Sequence, residues 1–234
     1  MKIALLGYGK MGQVIEKIAL ERGHEIVLKK TIDSDFSGLE NADVAIDFSV
    51  PDSAVCNINQ CFDTNIPVVC GTTGWLEHYD ETVAACNKKN GSFIYASNFS
   101  LGVNIFFELN NYLANMMVKI NKYKVSIQEI HHTQKLDAPS GTAISLANGI
   151  IKNTDYNNWT LESPKREEIF IEAKRLENVP GTHSVFYDSD VDQIEIKHTA
   201  HSRDGFAFGA VIAAEWLVGK KGVYTMKDVL NFDK

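Results

Sequence analysis

"MKIALLGYGKMGQVIEKIALERG", residues 1–23, sets a short apolar run, three glycines and a helical pattern in direct succession. The run from Ile3 to Leu6 is bounded by Gly7, which fits a buried first strand better than the opening of a signal peptide. Val14, Ile15, Ile18 and Ala19 then fall on one helical stripe, and the pattern stops at Gly23. Strand, glycine turn and helix in this order open a doubly wound nucleotide-binding fold. Gly7, Gly9 and Gly12 let the backbone turn tightly and approach a pyrophosphate, whose charge suits the free N–H groups of a helix start. A tight turn that binds nothing is the competing reading, and three glycines alone do not decide between them.

The pattern continues outward from there. "EIVLKK", "DVAIDFS", "IPVVCGTTG" and "SFIYASN" are strand candidates separated by helical stretches or loops. Strands that alternate with helices predict a parallel sheet covered on both faces. A helix is expected from Leu101 to about Met117. The character then changes, because "KVSIQEIHH", "REEIFIEAKRLE", "THSVFYD" and "DQIEIKHTAH" alternate with a period of two, as Ile194 and Ile196 do against Glu195 and Lys197. "GFAFGAVIAAEWLVG" is again an apolar helix. The expected fold class is therefore α/β: a Rossmann-type domain at 1–103 completed by 205–234, with an α+β domain inserted at 104–204. The last helix is expected to return to the first domain, and 153–164 ("NTDYNNWTLESP") reads as the loop-like part of the second.

The chain has 234 residues, 44% of them apolar and 23% charged, enough for two modest domains with cores of their own. A formal charge of -7 argues against nonspecific binding to nucleic acid or acidic membranes. No apolar run reaches the length of a membrane span. Cys56, Cys61, Cys70 and Cys86 lack the spacing of a metal or disulfide motif, and read as reduced core thiols of a cytoplasmic protein.

Strand C-termini are where open α/β sheets bind ligands. Thr72, Thr73, Ser97 and Asn98 fall there, as short hydrogen-bonding residues suited to an amide or a ribose. Asn98 or Ser100 can equally cap the helix that begins at Leu101. In "VLKKTID" the slot for the adenosine ribose is either Thr31, leaving Lys29 or Lys30 to meet a 2′-phosphate, or Asp33, which suits a ribose diol. The lysines can also be no more than solvated strand-edge charges.

"EIHHTQKLDAPSGTAISLANGI", residues 129–150, gathers His131, His132 and Lys135 ahead of a small-residue turn and an apolar helix. Free N–H groups at the entry of that helix, with the hydroxyls of Ser140 and Thr142, suit an anion. Neighbouring histidines on a strand point to opposite faces, so a shared metal is not expected. His198 and His201 read as strand-end residues.

"GYGKMG", "GTTGW", "SNFSLGVN", "EIHHTQKLDAPSGTA" and "HTAHSRDGFAFGA" together resemble the dihydrodipicolinate reductase family, and the resemblance runs across nearly the whole chain. It implies an NADH- or NADPH-dependent reduction of the cyclic dicarboxylate 4-hydroxy-tetrahydrodipicolinate on the diaminopimelate route to lysine, by a cytoplasmic homotetramer. It also implies that His131 is the acid/base residue and Lys135 the proton donor, that His132 and Arg203 contact substrate, and that Ser140, Gly141 and Thr142 receive a carboxylate. The cofactor set implied is Gly7, Tyr8, Gly9, Lys10, Met11, Gly12, Asp33, Gly71, Thr72, Thr73, Ala96, Ser97, Asn98 and Phe99. The glycine turn is a residue shorter than in many members. A related oxidoreductase for another amino-acid precursor, or a silent nucleotide sensor, is disfavoured by the "DAPSGTA" turn and by the intact His131, His132 and Lys135.

Overall fold

The structure is a computed structural model that describes residues 1–120 and 122–231. In chain order the elements are β1 (Lys2–Leu6), α1 (Lys10–Glu21), β2 (Glu25–Lys30), β3 (Val44–Asp47), α2 (Pro51–Asp63), β4 (Val68–Cys70), α3 (Tyr79–Lys88), β5 (Ser92–Tyr95) and α4 (Leu101–Met117). There follow β6 (Lys124–His131), α5 (Gly141–Asn153), β7 (Asn158–Thr160), β8 (Glu168–Arg175), β9 (Gly181–Asp188), β10 (Gln193–Ala200), α6 (Asp204–Leu217), β11 (Gly222–Tyr224) and α7 (Met226–Leu230). The chain divides into two compact units, Met1–Leu101 with Arg203–Lys234, and Gly102–Ser202. Each crossing lies two residues before the expected boundary, which brings Arg203 into the first unit.

The first unit is built on a sheet of order β11-β5-β4-β3-β1-β2 in which every pairing is parallel. Its central strands are buried on both faces, which explains their unbroken apolar runs. Ile3 and Leu5 of β1 pack on one side with Ile15 and Ile18 of α1 and with the alanines of α6. Ala4 and Leu6 face the other side, toward Ile58 and Phe62 of α2 and toward Phe93. Strand order reverses between β1 and β3, so the C-terminal ends of these strands form the crevice where such sheets take ligands.

The chain does not end on the apolar helix α6, as the sequence suggested. α6 is followed by β11, which pairs with β5, and by α7 with a Thr225–Asp228 capping box. A strand as short as "GVY" carries no readable period.

The second unit has a mixed sheet of order β10-β9-β6-β8-β7. β6 is antiparallel to β9 and parallel to β8. Val125, Ile127, Ile169, Ile171, Val185 and Tyr187 line one face and pack against Phe106 and Ala114 of α4 and Leu146 and Ile150 of α5. The loop expected at 153–164 contains β7, which adds an edge strand through Trp159 opposite Ile169. The polar residues around Trp159 hid it.

Among the described residues, no helix is long and apolar enough to cross a membrane. Cys61, Cys70 and Cys86 are buried, whereas Cys56 is exposed because it falls off the buried Ala54, Asn57, Ile58 and Cys61 stripe of α2.

Candidate active site

The nucleotide half begins at Gly7, whose φ of +97° is a left-handed conformation. A Cβ there would lie 2.2 Å from the Phe48 carbonyl oxygen, so only glycine lets the β1–α1 turn pass the end of β3. Gly7 N and Tyr8 N both donate to Lys30 O, at 3.0 and 3.1 Å, which ties the turn to the end of β2. Gly7, Gly9 and Gly12 stand at G-x-G-x-x-G spacing, and α1 starts at Lys10 with no side-chain cap. The first N–H groups of α1 have no acceptor within the helix and point out of its start. This cradle fits a pyrophosphate.

Beside it lies a cleft of about 270 Å³ lined by Gly7, Tyr8, Gly9, Lys30, Thr31 and Ile32 together with Phe48, Ser49 and Val50. Of the two ribose-slot alternatives left open by the sequence, Thr31 lines this cleft and Asp33 does not. The two lysines also separate. Lys29 Nζ pairs with Glu16 at 2.5 Å and sits 5.0 Å from the centre of the Tyr8 ring, whose hydroxyl donates to the same carboxylate. Lys30 lines the cleft, with its ammonium 4.8 Å from the centre of the Phe36 ring.

A second cleft of about 220 Å³ brings together Met11, Gly71, Ala96, Ser97, Asn98 and Phe99 of the expected cofactor set, with Arg203 among them. Of the remaining expected residues, Lys10 opens α1, Gly12 is packed beneath the Gly7 carbonyl, and Thr73 is exposed. Asn98 Oδ1 accepts from Ser100 N at 2.9 Å, a turn contact ahead of α4. Thr72 departs from expectation. Its hydroxyl donates to Asp47 at 2.6 Å and accepts from Ser49 N at 2.8 Å, so it braces the loops instead of facing a ligand.

Asp47 itself was missed by the sequence reading. It is fully buried at the end of β3 and takes further hydrogen bonds from Asn57 at 2.7 Å and the Cys70 thiol at 3.4 Å. Burial raises its carboxyl above the usual range, and the bonds from Thr72 and Asn57 offset part of that rise. Phe48, which lines both clefts, was missed too. The available signal was position, since it follows the C-terminal end of β3 as Gly71 follows that of β4.

In the second unit the helix-facing side of β6 reads Val125, Ile127, Glu129, His131. The first two extend the core; the last two begin a polar cluster. Glu129 is fully buried, and its Oε1 accepts from Arg175 Nη2 at 3.0 Å and from Ser140 N at 3.2 Å. Its Oε2 faces His131 Nδ1 as a buried ion-pair contact. Burial pushes the Glu129 carboxyl up, but His131, Arg175 and Ser140 outweigh it and hold the group down at about 2. His183, opposite Glu129 on β9, lies with its ring 5.0 Å from that of His131. Burial first, and then the neighbouring His131, bring His183 down to about 3, so it is neutral.

Ser140 also departs from expectation. Its hydroxyl accepts from Ala143 N at 3.2 Å as the cap of α5 and lies 3.0 Å from His183 Nε2. With its own N–H on Glu129, Ser140 fixes the turn, while Gly141 is exposed and Thr142 half-buried. Lys135 Nζ holds both oxygens of Asp137 at 2.8 Å. His132 turns from this cluster, and its Nδ1 is buried without a hydrogen-bond partner. His198 lies within β10, paired with His183, not at the strand's end.

Ligand-type atoms of Glu129, His131 and His183 lie within 4.8 Å of one another. The Arg175 guanidinium on the same carboxylate supplies the positive charge that a cation would bring. Glu129, Arg175 and His183 were not identified from sequence, although the period of two already put Glu129 on the buried face with His131.

Comparison with known proteins names the family. The family models for the N-terminus and the C-terminus of dihydrodipicolinate reductase match residues 1–99 and 102–230. The chain belongs to the dihydrodipicolinate reductase family. It is therefore an oxidoreductase of the lysine pathway and works with a pyridine nucleotide. It is 58% identical to the 4-hydroxy-tetrahydrodipicolinate reductase of Christiangramia forsetii, over 99% of this chain and 98% of that one. The enzyme of the same name from Archaeoglobus fulgidus is 34% identical over 99% of this chain and 100% of the other. Among solved structures, the dipicolinate-bound dihydrodipicolinate reductase from Paenisporosarcina sp. TG-14 shares the fold, with a TM-score of 0.75 at 22% identity over 96% of this chain and 97% of that one.

Proposed function

We propose that this reductase acts on 4-hydroxy-tetrahydrodipicolinate, with His131 as the acid/base residue and Lys135 as the proton donor. When bound, the nicotinamide nucleotide supplies the hydride. The glycine cradle at Gly7–Gly12 would hold its pyrophosphate, and the residues from Gly71 and from Ala96 to Phe99 its nicotinamide end. Reduction of an imine-conjugated carbon is complete only when a proton is delivered as well. Lys135 is suited to both tasks of its place: the ammonium that now holds Asp137 can exchange that carboxylate for one of the substrate's. Gly141 and Thr142 at the start of α5, His132 and Arg203 are assigned to the substrate carboxylates. The observation that carries the reading is the buried His131, in contact with a carboxylate that also accepts from Ser140 N at the start of α5.

The cofactor reading favours NADPH at least as strongly as NADH. Lys30 and the neutral Thr31 line the cleft beside the glycine turn, and the one acid nearby, Asp33, does not. The homotetramer is proposed to form through the side of the second sheet away from α4 and α5, where Phe170 and Phe186 are half-buried side by side on β8 and β9 around β6.

Turnover measured with substrate generated in situ tests the roles. Lys135→Ala and His131→Ala should each lower kcat by roughly 10²–10⁴-fold, the range for a positioned acid or base. Nucleotide affinity should stay unchanged, and His132→Ala should act mainly on KM. Near-normal turnover in Lys135→Ala would refute the assignment.

A further inference from the structure

We infer that Glu129 is a positioning residue for His131, holding the ring proton on Nδ1 so that Nε2 is the nitrogen presented for proton exchange. The inference rests on the reading of His131 as the acid/base residue. A neutral imidazole has one donor and one acceptor nitrogen, and which is which is set by the bond the other nitrogen makes. Here Glu129 Oε2 and His131 Nδ1 lie against each other in a buried contact, and neither atom has a hydrogen-bond partner, so each is the one group left to satisfy the other. A buried carboxylate can only accept, so the proton belongs on Nδ1.

The carboxylate is itself held from three sides. Arg175 Nη2 on β8 and Ser140 N at the start of α5 both donate to Oε1, and the rigid β6 backbone fixes the rest. Arg175 also donates to Lys135 O at 3.3 Å and to Asp137 O at 2.6 Å, which links the same carboxylate to the segment that carries the proton donor. Glu129 therefore sets His131, the helix-start turn and the Lys135 loop in one frame.

The opposite side of the ring is kept clear. A Cβ at Gly181 would lie 3.0 Å from His131 Nε2, so a side chain there would press on the nitrogen the chemistry uses. His183 stands at 70° to the His131 ring, and its Nε2 lies 3.0 Å from the Ser140 hydroxyl. The arrangement is that of a carboxylate–imidazole pair in which the carboxylate orients without exchanging the proton. Loss of that charge in such pairs costs turnover through the wrong tautomer, with the geometry intact.

The experiment is ring-nitrogen NMR on the full chain labelled with ¹⁵N-histidine, with the His131 signals identified by their loss in His131→Asn. At pH 8 the wild-type protein should show His131 protonated at Nδ1 and bare at Nε2. In Glu129→Gln, whose amide can either donate or accept, His131 should populate both tautomers, and kcat should fall on the order of 10²-fold with KM for the nucleotide unchanged. Glu129→Asp keeps the charge and should restore the Nδ1–H tautomer and part of the lost turnover. A wild-type His131 in the Nε2–H form would overturn the inference without any variant. So would an unchanged tautomer and kcat in Glu129→Gln. Full turnover in His131→Ala would instead overturn the catalytic reading, and the tautomer measurement would still decide the positioning.

Discussion

Among the described residues each unit buries one carboxylate at or near the end of a strand, Asp47 and Glu129, and the two are held in opposite ways. Asp47 of β3 is surrounded by neutral donors, the Thr72 hydroxyl, the Asn57 amide and the Cys70 thiol, and its pKa is raised. Glu129 of β6 is surrounded by Arg175, His131 and the Ser140 amide, and its pKa is lowered to about 2. Both are fully buried. The difference shows that burial alone does not decide the charge of a buried acid. Neutral donors suffice to brace two loops, as Asp47 does for the ends of β3 and β4. A buried acid stays ionised where its charge is met, as Arg175, His131 and Ser140 meet that of Glu129.

The contrast can be broken most severely at Arg175. Replacing it in Arg175→Met leaves Glu129 buried with one cationic partner fewer, and should cost about 3–5 kcal/mol in urea denaturation. The acid limb of stability should change with it. Because the Glu129 pKa lies below its ordinary value, its contribution is present above about pH 4.5 and is lost as pH falls toward about 2. In Arg175→Met that loss should shrink and be complete at a higher pH, because only the folded-state pKa moves. A variant as stable as the wild type at pH 7 would mean that the ion pair does not hold the site.

The next effect is in the nucleotide half and concerns two neighbouring cations. Lys30→Ala should weaken NADPH binding by about 1.5–3 kcal/mol, the worth of a charge-assisted hydrogen bond, and leave NADH nearly unchanged. Lys29→Ala should discriminate little between the two, since Lys29 is already engaged by Glu16. Dissociation constants at low and moderate salt check this, and equal losses for both nucleotides in Lys30→Ala would remove Lys30 from the 2′-phosphate.

The smallest change is expected at Asp47. A raised pKa means that the fold favours the neutral form, so Asp47→Asn should cost no more than about 1 kcal/mol, as the lost acceptor is offset by a charge no longer buried. Its contribution runs opposite in sign to that of Glu129: present at low pH, and lost as pH rises through the raised pKa. Thermal unfolding of Asp47→Asn across pH 4–7 should therefore show a gain relative to wild type toward the higher pH. A loss as large as that of Arg175→Met would erase the distinction between the two carboxylates.

The sequence by itself determined the parallel sheet, the helix from Leu101 to Met117, the inserted second unit and the strand, turn and helix of the 129–150 stretch. Those features are local: a buried strand must be apolar throughout, a helix shows its stripe every three to four residues, and a glycine at positive φ stands out among its neighbours. Short edge pieces such as β7 and β11 escaped, because three residues carry too little pattern. Tertiary structure decided what each polar side chain is for. Thr72 and Ser140 look like ligand groups in isolation and turn out to brace loops, because Asp47 and His183, far away in sequence, reach them first. Thr31, not Asp33, faces the cleft because Lys30 ends the strand against Gly7. Glu129 and Arg175 become one unit only where β6 and β8 pair, with His131 beside Arg175 in register. Hydrogen bonds and ion pairs act over a few ångströms, and which groups come that close is set by strand pairing and not by spacing along the chain.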